Sequence, residues 1–268
     1  MKRYLQSALL GVYGLLARSG FTRTVAGRWL FLRAYNVYKS GFESGWRHLR
    51  QFVRPDTTII DVGANVGFFT IPFASWVSGV RGRVLAIEPE RENILSLKAA
   101  ALSSVHSGRI EIVEAAAADV DGELYLALNP GNPADHRLAA RGVPIRGTTL
   151  RSLVDSYGQG VVSLIKIDVQ GAELRVLRGA VEILGRDRPA IFLEIDDSAL
   201  AAAGDSAQAV IDFLEAHGYK MHVLDARDGV RRITASEGAV LRTGLGYADF
   251  LFIADATPAA SLVAVRAV

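Results

Sequence analysis

The chain contains no cysteine, which excludes disulfides, thiolate nucleophiles and metal sites built on sulfur. Its five histidines, His48, His106, His136, His217 and His222, show no His-x-x-x-His or Glu-x-x-His spacing, so no preformed metal site is expected. Low-complexity runs, proline-rich stretches and internal repeats are also missing, which excludes disordered and solenoid classes. Lysine is scarce, with five against 25 arginines. The Gly-x-Gly-x-x-Gly diphosphate fingerprint does not occur.

With 268 residues, half of them apolar, the chain is long enough for one large α/β domain with a full core. The formal charge of +2 hides an asymmetry: residues 1–54 carry ten Lys or Arg and one acid, Glu43, which leaves the remainder net acidic. Lys2, Arg3, Arg18, Arg23, Arg28 and Arg33 alternate with Leu, Val, Trp and Phe as in two helices, so residues 1–40 are read as a basic helical extension and 41–268 as the domain. Tyr4 to Ala17 is too short to span a bilayer and no small-x-small cleavage site follows, which favours a retained segment and a cytoplasmic protein. Three readings of the arm stay open: a layer packed on the domain, a partner-binding or lid segment, and peripheral contact with an anionic membrane.

From residue 57 onward short apolar runs alternate with helical patterns, the signature of βαβ units and a parallel sheet covered on both faces. Strands are expected at Thr57 to Val62, Arg83 to Glu88, Ile110 to Ala115, Val161 to Asp168, Ala190 to Ile195, Lys220 to Leu224 and Asp249 to Ala254. Helices are expected at Phe68 to Val77, Arg91 to Ser103, Ala172 to Leu184 and Ser206 to His217. The alternation breaks between residues 116 and 148, where Glu123 to Leu128 and Val143 to Thr148 read as extra strands around a loop carrying His136.

A parallel sheet binds ligands outside the carboxyl ends of its strands. Asp61, Glu88, Asp168 and Glu194 each close an expected strand, so four carboxylates are expected on one rim, with donors or a cation to compensate them. In Ile-Asp-Val-Gly-Ala-Asn-Val-Gly, residues 60–67, Gly63 and Gly67 let a ligand approach the backbone and Asn65 tolerates a positive φ. Asp61 would repel a diphosphate and suits a cationic ligand such as a sulfonium, while Glu88 can accept both hydroxyls of a ribose. Lys166 and Asp168, two apart on one strand, share a face; Asp168 reads as a base or orienting group, or simply as a strand end neutralised by Lys166. Glu194 is the alternative base, and His136 lies where an acceptor should enter.

These stretches, together with Arg83 to Pro89, Asp119 to Glu123, Arg146 to Leu150, Arg188 to Glu194 and above all Lys-Ile-Asp-Val-Gln-Gly-Ala-Glu at 166–173, resemble the FkbM-type S-adenosylmethionine-dependent methyltransferases. The resemblance runs from about Gly41 to Ala254. It implies a class I Rossmann-like α/β fold, with a seven-stranded, mostly parallel sheet, an antiparallel last strand and helices on both faces. It implies that Asp61, Gly63, Ala64, Asn65 and Gly67 frame the methionine part of S-adenosylmethionine, that Glu88 holds the ribose, and that Ala115 and Ala116 lie by the adenine. Glu43 falls where the family often has a Glu-Pro pair, Gln170 where many members have Glu, and Arg151 where an Asp commonly follows Thr-Thr-Leu.

The implied reaction is methylation of a hydroxyl on a small molecule, natural product or saccharide, with Asp168, Glu194, Lys166 and His136 as candidate catalytic residues and no metal. Nucleic acid is not an expected partner, because the body is acidic and the arm carries no RNA-binding motif. The alternatives are a non-catalytic cofactor-binding or scaffold protein using the arm for an anionic partner, and a nicotinamide-dependent oxidoreductase. The acceptor and the oligomeric state are not legible in the sequence.

Overall fold

The computed structural model describes residues 44–129, 135–157, 160–225, 229–243 and 246–255. The arm at 1–40, Glu43 and residues 130–134 of the irregular loop lie outside them. A 3-10 helix (Ser44–Phe52) leads into β1 (Thr58–Val62), α1 (Thr70–Trp76), β2 (Arg83–Glu88), α2 (Arg91–Leu102) and β3 (Ile110–Glu114). Four short strands follow: β4 (Ala116–Ala117), β5 (Gly122–Ala127), β6 (Arg137–Ala139) and β7 (Val143–Thr148). The chain continues through α3 (Leu150–Ser156), β8 (Val162–Ile167), α4 (Glu173–Arg178), α5 (Val181–Asp187), β9 (Ala190–Asp196), α6 (Asp197–Ala202) and α7 (Ala207–Ala216). It closes with β10 (Tyr219–Asp225), β11 (Gly229–Arg232), α8 (Ala235–Arg242) and β12 (Tyr247–Ala254).

The main sheet has the order β11-β10-β12-β9-β8-β1-β2-β3. Strands β3, β2, β1, β8 and β9 are mutually parallel, and β12 runs against both β9 and β10. Every residue of β1 and β8 is buried, as expected of central strands covered on both faces. The strand order reverses between β1 and β8, and the crevice that forms at such a point is where α/β sheets take ligands.

Two expectations are corrected. The sheet has eight strands, because β11 folds back on β10 as an antiparallel edge. The helix expected over Ala172 to Leu184 is broken into α4 and α5 at Gly179, where a Cβ would lie 2.0 Å from the carbonyl oxygen of Ala118. Close approach of another backbone decides that break, and helical periodicity cannot register it. The extra strands around the irregular loop form a separate four-stranded sheet, β4-β7-β5-β6.

Each face of the main sheet has its own core. One is mainly aliphatic, with Ile60, Val62, Ile165, Leu177 and Leu193 joined by Tyr219, Phe250 and Phe252; the other is mainly aromatic, built on Trp46, Phe69, Phe73 and Phe192. Phe73 is fully buried, so its truncation to Ala is expected to cost about 3–5 kcal/mol. The aromatic face supports the site. Asp61 and Lys166 are register partners on β1 and β8, and Lys166 Nζ stands 5.3 Å from the centre of the Phe69 ring.

Candidate active site

The turn after β1 is shaped by contacts that a side chain would block. Gly63 has φ +70°, and a Cβ there would lie 1.9 Å from the carbonyl oxygen of Asp168. Asn65 has φ +49° and Gly67 has φ +95°, both in the left-handed region. The amides of Gly63 and Ala64 both donate to Ile87 O at 3.0 Å, which fastens the turn to the end of β2. Asn65 N donates to Glu88 Oε2 at 2.9 Å.

Glu88 is therefore built into the turn. Its Oε1 accepts from Glu90 N at 3.0 Å and from Asn93 Nδ2 at 3.3 Å, and the side chain is buried. Burial pushes its pKa up to about 7, against the opposing pull of the Glu90, Asn65 and Asn93 donors. Beyond β3, whose Glu114 is level with Glu88, Ala115 and Ala116 are buried and Ala116 starts the second sheet against Gly147.

Asp61 departs from the expected rim of four carboxylates: it is fully buried. Thr70 Oγ1 donates to its Oδ2 at 2.6 Å, and Lys166 Nζ lies 3.2 Å from Oδ1. That second approach lacks hydrogen-bond geometry, so it is an ion contact. Lys166 directs donors to Gly63 O at 2.8 Å and Val62 O at 3.2 Å. The cation the rim was expected to need is thus supplied to Asp61 by the chain itself, underneath the turn. Lys166 is buried in this position under the glycine turn, with Asp168 Oδ2 3.9 Å from its Nζ.

Asp168 and Glu194 do stand at the rim, on adjacent strands. Gln170 Nε2 donates to Asp168 Oδ1 at 3.0 Å and to Glu194 Oε2 at 3.1 Å, bridging the two carboxylates. Gln170 is held at φ +53°, a conformation that glutamine rarely adopts and that marks a constrained position. Sequence reasoning missed this role; the only signal was an amide in a segment otherwise rich in acids. Glu173 was missed as well. Its Oε1 accepts from Gly171 N at 3.0 Å, its Oε2 is buried with no hydrogen-bond partner among the described residues, and burial raises its pKa to about 7.

His136 sits half-buried at the end of the irregular loop, with Nδ1 accepting from Asn129 N at 3.0 Å. A backbone amide can only donate, so Nδ1 is unprotonated and Nε2 carries the hydrogen. Burial lowers the His136 pKa, while the charges of Glu90 and Asp135 oppose that shift. The structure therefore brings the turn, Glu88, Lys166, Asp168 and Glu194 to the carboxyl ends of β1, β2, β8 and β9, beside the point where the strand order reverses. Among the described residues His136 bonds to Asn129, and the charge of Glu90 acts on its imidazole.

A reversed β12 beside five parallel strands, with a glycine turn and an acid closing β2, defines the class I Rossmann-like fold. The family model described as the methyltransferase FkbM domain matches residues 61–221, more than half of the chain, and the chain belongs to that family. A curated relative, the AMB antimetabolite synthetase AmbE of Pseudomonas aeruginosa, is 27% identical over 210 residues. That alignment covers 63% of this chain and 10% of the synthetase, so the chain spans about a tenth of this relative's length. Among solved structures, the methyltransferase FkbM from Methylobacillus flagellatus is similar with a TM-score of 0.46 and 15% identity, covering 76% of this chain and 47% of that one. A putative methyltransferase from Streptococcus mutans, solved in complex with SAH, is similar with a TM-score of 0.45 and 9% identity, covering 78% of this chain and 94% of that one.

Proposed function

We propose that the chain is a methyltransferase that uses S-adenosylmethionine to methylate a hydroxyl oxygen of a small molecule, natural product or saccharide. The observation that carries this reading is the turn fastened to Glu88. Glycines that tolerate no side chain and a carboxylate facing the turn amide suit a ligand pairing a ribose with a cationic centre. Family membership supports the same chemistry.

Gly63 to Gly67 would hold the methionine part, Glu88 would accept from the ribose hydroxyls, and Ala115 and Ala116 would flank the adenine. Bound there, S-adenosylmethionine supplies an electrophilic methyl group on a positively charged sulfur. An acid-rich crevice favours that charge. Asp168 and Glu194 orient the acceptor hydroxyl and take its proton, which matters because an alcohol is a weak nucleophile until deprotonated. Lys166 and Gln170 place this pair, the first from below through the Gly63 turn and the second from the side. Alignment of the acceptor supplies much of the rest of the rate.

Calorimetry with S-adenosylhomocysteine and with NADH tests the proposal. Binding of the first and not the second supports it; binding of NADH alone would establish the oxidoreductase alternative, and no binding of either would defeat the cofactor assignment. A cytoplasmic site of action, and contact of residues 1–40 with an anionic membrane, belong to the same proposal. No helix among the described residues is long and apolar enough to cross a membrane. Sedimentation with anionic liposomes, with and without residues 1–40, tests the contact, and equal sedimentation would argue against it.

A further inference from the structure

Residues 66–68 of the glycine turn also form one wall of a separate groove of about 630 Å³, to which Glu88, Asp168 and Glu194 do not contribute. The opposite wall is the 3-10 helix Ser44–Phe52. In a 3-10 helix residues three apart eclipse one another. Trp46, Leu49 and Phe52 therefore share the side that packs on the aromatic core, whereas Arg47 and Arg50 share another and stay exposed. Both arginines line the groove, and neither forms an ion pair among the described residues.

The floor is aromatic. Trp46 stacks on Trp76 with centroids 5.5 Å apart, Phe68 meets Trp46 edge-on at 5.8 Å, and the Arg47 guanidinium lies 5.8 Å from the centre of the Trp46 ring. Two guanidiniums without ion pairs on one side and an apolar floor form a matched set. A wholly apolar occupant would desolvate the arginines without compensation, and a bare anion would leave the aromatic floor unused.

We propose that this groove is a second binding site, for an anionic amphiphile: one molecule per chain, its alkyl or aryl body on the Trp46–Trp76–Phe68 surface and its carboxylate or phosphate between Arg47 and Arg50. The volume suits a single small molecule. Because Gly67 belongs to both sites, occupancy of the groove bears directly on the turn.

The test uses the full chain and dodecyl phosphate below its micellar concentration. Intrinsic fluorescence follows binding, since Trp46 and Trp76 are two of the three tryptophans, and calorimetry gives the stoichiometry. The expected result is saturable binding of one molecule per chain, weakened about tenfold or more in the Arg47→Ala/Arg50→Ala variant, with an unchanged melting temperature. Arg50→Glu should weaken it further. Inorganic phosphate and the neutral dodecyl maltoside should each bind far less tightly. Equal affinity for the neutral amphiphile, or an arginine variant that binds like the wild type, would overturn the proposal. Binding to phosphatidylglycerol vesicles with no binding of the monomer would also overturn it, in favour of a surface contact. None of these outcomes depends on S-adenosylhomocysteine binding, so failure here and failure of the methyltransferase reading are separable.

Discussion

Lys166 Nζ lies 2.8 Å from the carbonyl oxygen of Gly63 and 3.2 Å from Asp61 Oδ1, so one buried cation supports the glycine turn and neutralises the acid beneath it. Removing one partner of such a pair strands the other charge. Lys166→Met is expected to destabilise the fold by about 3–5 kcal/mol. Lys166→Met combined with Asp61→Asn should recover much of that loss. Urea unfolding of the two single variants and the double variant measures the coupling, and additive losses would contradict the pairing.

At Gly63 a methyl group has no room, because the Asp168 carbonyl oxygen occupies its place and φ is +70°. Gly63→Ala should lower the stability by about 2 kcal/mol or more and weaken S-adenosylhomocysteine binding. Thermal unfolding and calorimetry together check this; full retention of both properties would show that the turn has another conformation.

Glu88 has a folded pKa of about 7 against an ordinary 4.5. Its ionised form offers one more acceptor to a ribose diol than the protonated form does. Affinity for S-adenosylhomocysteine is therefore expected to fall as pH drops from 8 through about 7. Calorimetry across that range should show the decline in the wild type and a flat, weaker profile in Glu88→Gln.

The raised pKa of Glu173 bears on stability. Its folded pKa, about 7, is raised above 4.5, so its contribution is fully present below about 4.5 and is lost as pH rises through about 7. Replacing it with Gln removes the ionisable group. Compared with wild type, Glu173→Gln should gain stability between pH 5 and pH 8, by about 1–3 kcal/mol over that interval. A difference independent of pH in denaturant titrations would rule out a buried titrating Glu173.

Gln170 donates to two carboxylates from one nitrogen. Gln170→Glu replaces that donor with a third negative charge, which is tolerated only when a proton is taken up. The variant should unfold at a lower temperature than wild type at pH 8 and approach it at pH 5. An identical deficit at both values would mean that the added charge is not its cause.

His136 should remain neutral at pH 7 with its hydrogen on Nε2, because Nδ1 accepts from Asn129 N and burial depresses its pKa. Long-range nitrogen-15 correlation spectra of the imidazole distinguish the two tautomers directly.

Much of the fold was legible in local pattern. The apolar runs of β1, β2, β8 and β9 stand where the sequence places them, because strands buried on both faces must be continuous in hydrophobicity. The break at Gly179 and the edge strand β11 were not legible, since one depends on the Ala118 backbone and the other on which edge β10 exposes. The small β4-β7-β5-β6 sheet was half visible, as the central pair β5 and β7 without the flanking β4 and β6.

The site divides along the same line. The amino-acid sequence by itself determined which residues close the strands and where a side chain is missing, because strand ends and glycines are local features: Asp61, Glu88, Asp168, Glu194, Gly63 and Gly67. Only the tertiary structure decided what each carboxylate faces. Asp61 went under the turn to Lys166, Glu88 took the Asn65 amide, and Asp168 joined Glu194 through Gln170. All of those pairings but Gln170 to Asp168 link residues far apart in the chain, and register between strands, which no run of residues encodes alone, sets the distances that decide charge and protonation.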